Sequence, residues 1–473
     1  MIRLREGQTG GYTPPRPVLH PHHAGVCVYL LYSTLTIVVF VLGSPWFLWQ
    51  ALRRRKYVDG LNQRLGFLPI TVNIDQEPSI WVHAVSVGEV LTTRALIEEL
   101  RARYPRLKLF LSTTTLTGQR VAQSRVPGVD AVFYFPLDLP WTVTRTLNLL
   151  QPKLFVMMET EIWPQLLRQC HERGIKTVLV NGRISARSYP RYRLIRPFFR
   201  RVLEHIDLFC MQSAESAQRI LDLGADPGRV SVTGSLKFDS LDWSVTASGR
   251  GQDRVLRFFR VSPQRVVLVA ASTLKGEEGP VLTAFHRLRA AHPGALLILA
   301  PRHPDRFDDV VQLAKDEGFR VVRRSDLPID AEPKADVVVL DTIGELARLF
   351  QVATLVFVGG SLVDAGGHNI LEPAVFGKPI LFGPSMHNFS EIAAAFLGAG
   401  AAIQVRTASD LTDAVLLLAG DPVRRASVGA TARALVEANR GARERTLSAL
   451  ENVFPSRPKG QVVFPFRRPS ALS

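Results

Sequence analysis

The feature that most constrains the fold is an alternation of short apolar runs with amphipathic stretches, which occurs twice along the chain. Helical spacing is clearest from Val90 to Tyr104, where Leu96 and Leu100 share one face. Strands that alternate with helices pair in parallel, because each crossover returns the chain to the same edge of the sheet. The pattern therefore predicts two doubly wound, Rossmann-like α/β domains. The predicted strands are Ile80–Ala84, Leu107–Ser112, Ala131–Phe135, Leu154–Met157, Thr177–Asn181, Leu208–Gln212 and Val230–Thr233 in the first series, and Arg265–Ala271, Ala295–Ala300, Val337–Leu340, Leu355–Val358 and Ile380–Phe382 in the second.

The length of the chain also favours two domains, since 473 residues exceed what one ordinary core supports. A polar, irregular stretch separates the two series of strands and is interpreted as a linker. The predicted divisions are a disordered lead at 1–25, a transmembrane anchor at 26–49, an N-terminal domain at 56–236, the linker at 237–254, a C-terminal domain at 255–452 and a basic tail at 453–473.

An uncharged apolar segment at 26–49 is long enough to cross a hydrocarbon core of about 30 Å as a helix. It ends near Trp46 and Trp49, and the basic cluster 53–56 follows. The positive-inside rule places this cluster on the cytoplasmic side. The segment therefore predicts a single-pass inner-membrane protein with its domains on the cytoplasmic face. A cleaved signal peptide is the alternative, but a basic cluster that follows the apolar run does not favour it.

The net charge of +16 comes mainly from arginine, because only ten of the 58 basic residues are lysines. Guanidinium groups bind phosphates well, so anionic membrane lipids or a phosphorylated lipid are the predicted partners. Nucleic acid is the competing partner, but no zinc-ligand spacing, basic helix or RNA-binding motif supports it.

A glycine-rich stretch from Gly359 to Gly377 lies between the apolar runs 355–358 and 380–382. A loop that joins a strand to a helix lies at the carboxyl end of a parallel sheet, where α/β proteins bind ligands. Paired glycines let backbone N–H groups approach a phosphate, and the helix predicted to begin at Ile370 adds a favourable partial charge. Glu372 could accept hydrogen bonds from ribose hydroxyls. The stretch therefore suits a nucleotide-sugar, and a tight turn in any α/β protein is the alternative.

Several motifs in order along residues 53–450 resemble those of the 3-deoxy-D-manno-octulosonic acid (Kdo) transferases. The resemblance implies the GT-B architecture, in which two Rossmann-like domains face each other across a cleft. It also implies an inverting transfer of Kdo from CMP-Kdo to a lipid A precursor in lipopolysaccharide biosynthesis. The matching segments are 56–66 (KYVDGLNQRLG), 82–89 (VHAVSVGE), 158–164 (METEIWP), 181–185 (NGRIS), 234–237 (GSLK), 300–304 (APRHP) and the glycine-rich stretch itself (GGSLVDAGGHNILEPA).

Glu89 is the candidate general base for deprotonating the acceptor hydroxyl. It follows a predicted strand and a short loop, at the start of the Val90 helix. The helix dipole there favours a carboxylate over the neutral acid, so Glu89 is expected to be ionised. A first-turn glutamate that only complements the dipole is the alternative. The family resemblance places the catalytic base on this glutamate.

Glu159 and Glu161 follow another predicted strand, and residues two apart in an extended segment share a face. Either could orient the acceptor sugar or pair with Arg183 or Arg187, and one of them could instead cap the next helix. The threonines from 113 onward could offer hydroxyls to the acceptor, with an N-cap as the alternative. The acceptor-binding residues that the pattern and the resemblance indicate are Ser86, Gly88, Thr113, Thr114, Glu159, Glu161, Asn181, Arg183 and Ser185.

The donor-binding candidates follow the predicted strands of the second series or lie in its glycine-rich stretch. Lys237 and Arg302 could neutralise the donor phosphate or carboxylate, and the resemblance implies that the backbone near Ile343 meets the cytosine. The donor-binding residues so indicated are Ser235, Lys237, Ser272, Thr273, Arg302, His303, Ile343, Gly344, Glu345, Gly359, Gly360, His368, Asn369 and Glu372.

No metal and no cofactor are predicted. His303 and His368 have no carboxylate partner at ligand spacing, and no Asp-x-Asp motif occurs. The three cysteines, Cys27, Cys170 and Cys210, form no CxxC pair. Two other functions stay open from the sequence. One is a membrane GT-B enzyme that uses a UDP-sugar, and the other is a non-catalytic nucleotide-binding membrane protein.

Overall fold

The computed structural model describes residues 29, 32–43, 45, 60–186, 188–241 and 255–455. The chain forms two compact units. The first runs to Thr233 and also includes the chain from Thr446 onward, and the second is Gly234–Arg445. The predicted C-terminal domain extended to residue 452, so most of the last helix is grouped differently from the prediction.

The first unit is built on a seven-stranded parallel sheet with the order β3-β2-β1-β4-β5-β6-β7. The chain begins in the middle of the sheet, adds β2 and β3 on one side, and then crosses to add β4 to β7 on the other. This reversal creates a topological switch point between β1 and β4. The strands are β1 (Ser79–His83), β2 (Lys108–Thr113), β3 (Ala131–Tyr134), β4 (Pro152–Met158), β5 (Lys176–Gly182), β6 (Leu208–Met211) and β7 (Val230–Val232).

The second unit is also built on a seven-stranded parallel sheet, with the strand order β10-β11-β9-β8-β12-β13-β14, and it differs from the first in that β11 lies between β9 and the edge strand β10. Its switch point lies between β8 and β12. The strands are β8 (Val267–Thr273), β9 (Leu296–Pro301), β10 (Val321–Arg323), β11 (Val337–Val339), β12 (Leu355–Val358), β13 (Ile380–Phe382) and β14 (Ile403–Gln404).

Helices separate most of the strands, as parallel pairing requires. Most of those in the first unit start close to the carboxyl end of the preceding strand, which places side chains of the strand-to-helix loops at one edge of the sheet. The helices are α1 (Leu61–Arg64), α2 (Val87–Arg103), α3 (Leu116–Arg125), α4 (Pro140–Leu150), α5 (Pro164–Glu172), α6 (Tyr189–Leu194), α7 (Arg196–Leu203), α8 (Ala214–Leu223), α9 (Glu278–Ala291), α10 (Phe307–Asp316), α11 (Leu346–Leu349), α12 (Leu371–Val375), α13 (Ser390–Gly398), α14 (Ala408–Gly420), α15 (Pro422–Ala438) and α16 (Ala442–Val453).

The twelve predicted strands are confirmed, with shifts of at most two residues at their ends. The sequence prediction missed β10 and β14, which lie at the two edges of the second sheet. Both are only two or three residues long, and their side chains are half-buried. Edge strands of this kind carry no continuous apolar run, so hydrophobic patterning does not reveal them.

The cores lie on both faces of each sheet, because helices cover the two sides. All five residues of β1 are buried, and Trp81 packs against Phe155 with a ring-centroid distance of 4.7 Å. A sheet buried on both faces holds its central strands rigidly. The loops at the carboxyl ends of these strands therefore start from fixed positions.

The predicted membrane anchor is described only in part. Residues 32–43 are helical, and the side chains of Leu35, Val39 and Leu42 are 60%, 63% and 75% exposed. The described part of the chain has no helix whose length and hydropathy together would let it span a bilayer. The lead at 1–25, most of the linker at 242–254 and the tail at 456–473 lie outside the described residues.

Candidate active site

Three carboxylates of the first unit come together at the switch point between β1 and β4. Glu89 lies in the first turn of α2, and Glu159 and Glu161 follow β4 directly. The negative charges of Glu159 and Glu161 both act on Glu89. The structure thus brings together the predicted base and the two predicted acceptor carboxylates.

The Glu89 carboxylate is oriented by its own loop. The backbone N–H of Val85 donates to Glu89 Oε2 at 2.8 Å, and the Ser86 hydroxyl donates to Oε1 at 2.8 Å. Ser86 is also the N-cap of α2, since its Oγ accepts the backbone N–H of Glu89. Its predicted role in acceptor binding stays a prediction, and Gly88 beside it is exposed.

Burial, together with the charge of Glu159, raises the pKa of Glu89 to about 7. The hydrogen bonds from Val85 and Ser86 oppose this rise but do not cancel it. The expectation that the helix dipole keeps Glu89 ionised was therefore wrong: near neutral pH a substantial fraction is protonated. A carboxyl group with a pKa near the working pH is well suited to take and return a proton.

Glu159 has an unusual backbone conformation, with φ of 56°. The predicted extended segment is therefore a turn, and Glu159 and Glu161 do not alternate along a strand. Asn181 and Ser272 also have φ of 56°, and both lie near the carboxyl end of a strand. Left-handed conformations cost energy for residues other than glycine and are common at functional sites.

Glu161 makes contacts that the sequence analysis did not anticipate. Trp163 Nε1 donates to Glu161 Oε2 at 3.0 Å, and His83 Nε2 lies 3.6 Å from the same oxygen. The His83 ring is fully buried, with Nδ1 3.0 Å from Ser112 Oγ. The signal that could have identified His83 is a polar residue at the end of an otherwise apolar strand.

The predicted helix cap after β4 is supplied from elsewhere in the chain. Asp138 accepts the backbone N–H groups of Gln165 and Leu166 at 2.9 and 2.8 Å, which satisfies the start of α5. Neither Glu159 nor Glu161 has this role. Burial raises the pKa of Asp138 to about 6, and the Tyr32 hydroxyl also donates to it.

The other predicted acceptor residues have mixed outcomes. Thr113 is fully buried and its hydroxyl donates to Gln119 Oε1 at 2.6 Å, so nothing in this geometry favours its predicted role in acceptor binding, which stays a prediction. The Thr114 hydroxyl is buried without a hydrogen-bond partner, and Thr115 is the N-cap of α3. Asn181, Arg183 and Ser185 lie at the end of β5 or just after it, beside the carboxylates, because Thr160 donates to the Arg183 carbonyl oxygen.

In the second unit, the glycine loop (residues 359–367) differs from its predicted role as a phosphate cradle. The Gly359 N–H donates to the carbonyl oxygen of Ala271 at 2.8 Å. The Gly360 N–H donates to the carboxylate of Glu277 at 2.7 Å, and the Gly367 N–H donates to the Gly360 carbonyl at 2.7 Å. These amides are paired within the protein because a buried loop must satisfy its own backbone groups.

Cationic and imidazole side chains gather beside this loop. Burial, with help from the charges of Arg302 and His303, lowers the pKa of His368 to about 4. Burial raises the pKa of Glu372, and a hydrogen bond from Asn369 (3.0 Å to Oε1) and the charge of Arg302 oppose it. The predicted donor residues on either side of the switch point are thus brought together.

Residues at the start of the second unit also approach the glycine loop. Lys237 Nζ lies 5.2 Å from the ring centroid of Phe389, and it donates to the carbonyl oxygen of Asn388 at 3.5 Å. The Asn388 N–H in turn donates to the Gly366 carbonyl at 3.0 Å. Ser235 is buried, and its hydroxyl accepts the backbone N–H of Lys237 at 3.4 Å.

Two further donor candidates lie at the end of β8. Thr273 is fully buried, and its hydroxyl has no hydrogen-bond partner. Its carbonyl oxygen accepts the N–H of Arg302 at 3.0 Å, so the β8 and β9 loops are held together. Ser272, in its left-handed conformation, lies beside it.

In the segment after β11, the Glu345 carboxylate is bound by neighbouring side chains. The Glu345 side chain pairs with Arg324 at 2.8 Å and accepts from the Thr342 hydroxyl at 2.8 Å. Ile343 and Gly344 are left exposed, with Ile343 at 74%. The Glu345 side chain therefore anchors the loop, while its two neighbours are exposed.

Among the residues that the structure describes, no three or more His, Cys, Asp or Glu side chains are grouped so that they could hold a metal ion. Cys170 and Cys210 are buried free thiols. Burial raises the pKa values of both thiols, so neither is poised for redox chemistry.

Comparison with known proteins identifies the family. Residues 59–240 match the family model of 3-deoxy-D-manno-octulosonic-acid transferase (kdotransferase). A 3-deoxy-D-manno-octulosonic acid transferase of Haemophilus influenzae is 34% identical over 85% of this chain and 93% of its own length. The chain belongs to the Kdo transferase family. A Bordetella pertussis transferase of the same name is 35% identical over 79% of this chain and 87% of its own. The protein is therefore a glycosyltransferase, as predicted.

A solved structure supports the fold. The UDP-GlcNAc 2-epimerase of Neisseria meningitidis matches with a TM-score of 0.54 at 13% identity, covering 79% of this chain and all of that one. At this identity the match shows the fold alone. Both units are parallel-sheet α/β domains of the kind found in GT-B glycosyltransferases, which confirms that part of the predicted fold class.

Proposed function

We propose that this Kdo transferase moves Kdo from CMP-Kdo to a lipid A precursor, lipid IVA, with inversion at the anomeric carbon. Glu89 acts as the general base and no metal takes part. The observation that carries this proposal is the Glu89 carboxyl group, which lies at the switch point of the first sheet and is held by Val85 and Ser86. Its pKa of about 7 suits a group that must accept a proton near neutral pH.

In the proposed reaction, Glu89 takes the proton of the acceptor hydroxyl. The hydroxyl oxygen bonds to the anomeric carbon of Kdo, and the bond from that carbon to the CMP phosphate breaks. The electron pair of that bond leaves with CMP. Arg302 and Lys237 stabilise the charge that develops on the phosphate. Glu159 and Glu161 orient the sugar, and Glu159 also keeps the pKa of Glu89 high.

The acceptor is proposed to be a phosphorylated lipid because basic and apolar side chains occur together on the first unit. Arg191 and Arg193 are exposed on α6, next to Leu194, which is 84% exposed. We propose that the protein is held at the cytoplasmic face of the inner membrane. There the exposed apolar residues of the 32–43 helix contact lipid, and the arginines contact its phosphates.

The full-length protein is expected to transfer Kdo to tetra-acylated, bis-phosphorylated lipid A precursor when CMP-Kdo is generated in the assay. Mass spectrometry should detect product heavier by one or more Kdo units, with undiminished yield in EDTA. CMP, but not UDP, should raise the melting temperature of the protein. Product without CMP-Kdo, or protection by UDP alone, would contradict the proposed donor, and loss of activity in EDTA would contradict the metal-free mechanism.

The pH dependence should report the Glu89 carboxyl. Only the ionised form accepts a proton, so kcat/KM is expected to rise about tenfold per pH unit below pH 7 and to level off above it. Glu159→Gln removes the negative charge that acts most strongly on Glu89 and should move the inflection to lower pH. A profile that is flat from pH 5.5 to 8.5, or one that the Glu159 variant leaves unmoved, would contradict this assignment.

A further inference from the structure

A single buried carboxylate binds the backbone of the glycine loop. Glu277 is fully buried, and its Oε1 accepts the N–H groups of Ser361 and Leu362, each at 2.9 Å. Its Oε2 accepts the N–H of Gly360 at 2.7 Å and that of Leu274 at 2.9 Å. Four backbone donors therefore converge on one side chain.

The loop amides form an anion-binding nest, and the anion that they bind is the Glu277 carboxylate. Successive N–H groups that point inward form a concave site for a phosphate or a carboxylate. Here Gly360, Ser361 and Leu362 supply three successive donors from the loop after β12. The fourth comes from Leu274, after β8. Because burying a carboxylate is costly unless it is fully hydrogen-bonded, all four contacts support one another.

The first glycine of the motif is explained by the same contact. A Cβ atom on Gly359 would lie 2.8 Å from Glu277 Oε2 and 2.7 Å from the carbonyl oxygen of Ser272. A side chain at this position would therefore displace either the carboxylate or the end of β8. The glycine is required for packing inside the loop rather than for the approach of a ligand.

We propose that Glu277 is a positioning residue for donor binding, which it achieves by locking the glycine loop across the switch point between β8 and β12. The inference rests on the proposed donor site at this loop. Since the Gly360 to Leu362 amides are occupied, the donor phosphate is left to side chains such as Arg302 and Lys237. Glu277 fixes the backbone of Gly360, and Gly360 lies directly against the His368 ring. A Cβ atom on Gly360 would lie 2.9 Å from that ring.

Glu277→Gln tests the proposal because the amide keeps the size of the side chain but replaces one acceptor oxygen with a donor. At least two N–H groups then lose their acceptor. CMP binding, measured by isothermal titration calorimetry, is expected to weaken about tenfold or more. Glu277→Asp keeps the charge but shortens the reach, so we expect an intermediate loss.

Asp336→Asn is the matched control. Asp336 is also a buried carboxylate, and it accepts the backbone N–H of Arg320 at 3.0 Å and pairs with the Arg320 guanidinium. It directly precedes β11 and so lies at the amino ends of the strands, whereas the glycine loop lies at their carboxyl ends. This variant should lose thermal stability and keep the CMP affinity of the wild type.

The outcomes separate this inference from the proposed function. Weaker CMP binding by both Glu277 variants, with an unchanged control, supports the positioning role. Wild-type affinity in Glu277→Gln overturns it and leaves the donor site in place. If CMP binding weakens equally in the Asp336→Asn control, Glu277 contributes only to stability and the positioning role is overturned. Unfolding of both Glu277 variants would lead to the same conclusion. A wild-type protein that does not bind CMP overturns the donor site and this inference together.

Discussion

Replacing Glu89 with glutamine is expected to lower kcat for Kdo transfer about 1,000-fold, because the amide cannot accept the proton of the acceptor hydroxyl. Glutamine retains the size of the side chain. Its amide oxygen can still accept one of the two hydrogen bonds from Val85 and Ser86. CMP affinity should stay at the wild-type value, since the proposed donor residues belong to the second unit. Steady-state kinetics and calorimetric titration with CMP measure the two quantities separately.

Glu98→Gln is the matched control for this prediction. Glu98 lies on the same helix, α2, and pairs with Arg94 at 3.0 Å on the exposed surface. An exposed ion pair of this kind contributes little to stability or to the site. This control should therefore have wild-type kcat. If Glu89→Gln also turns over at nearly the wild-type rate, Glu89 is not the base, and Glu159 becomes the next candidate.

Replacing Gly383 with alanine is expected to destabilise the second unit by about 3 kcal/mol, because the added methyl group overlaps fixed backbone. Its Cβ would lie 2.2 Å from the carbonyl oxygen of Ser361 and 2.4 Å from the nitrogen of Leu362. The Gly383 N–H also donates to Ser361 Oγ at 2.8 Å, so the two segments cannot separate without losing this bond. Because the displaced atoms belong to the loop that Glu277 holds, CMP affinity should fall as well.

A thermal or urea unfolding experiment compares this variant with Gly398→Ala. Gly398 ends α13, and a Cβ built there has no atom within 4 Å. Alanine at that position should be neutral or stabilising by up to about 1 kcal/mol, since it restricts the unfolded chain and favours the helix. Equal stability of the two variants would show that the loop near Ser361 yields easily, and that the proposed locking by Glu277 is weak.

The sequence predicted where the candidate site lies better than it predicted the contacts that the site residues make. The carboxyl ends of parallel strands share one edge, so Glu89 and Glu159 could be expected to lie near each other from their positions after apolar runs. The same logic placed Arg302 and Gly359 at the edge of the second sheet. It failed for Thr113, whose hydroxyl turns inward to Gln119, because the strand continues one residue further than its apolar run indicates.

Contacts between distant segments were beyond the reach of sequence patterns. Nothing near His83 in the chain indicates that its ring lies 3.6 Å from Glu161, and nothing near Asp138 indicates that it caps α5. Glu277 follows Gly276 at the start of a helix and has the pattern of an ordinary first-turn carboxylate. Its four hydrogen bonds connect it to residues more than 80 positions away as well as to Leu274.

By itself the sequence determined the two parallel α/β sheets, the positions of twelve of their strands and the family, because hydrophobic periodicity and short motifs are local properties of the chain. Only the tertiary structure decided the protonation of Glu89 and the role of the glycine loop. The pKa of Glu89 depends on burial and on the charge of Glu159, 70 residues away. The loop amides bind Glu277 rather than a ligand because folding places a carboxylate where the glycines leave room. Desolvation and hydrogen bonding act through space, so neither outcome is encoded in any one segment.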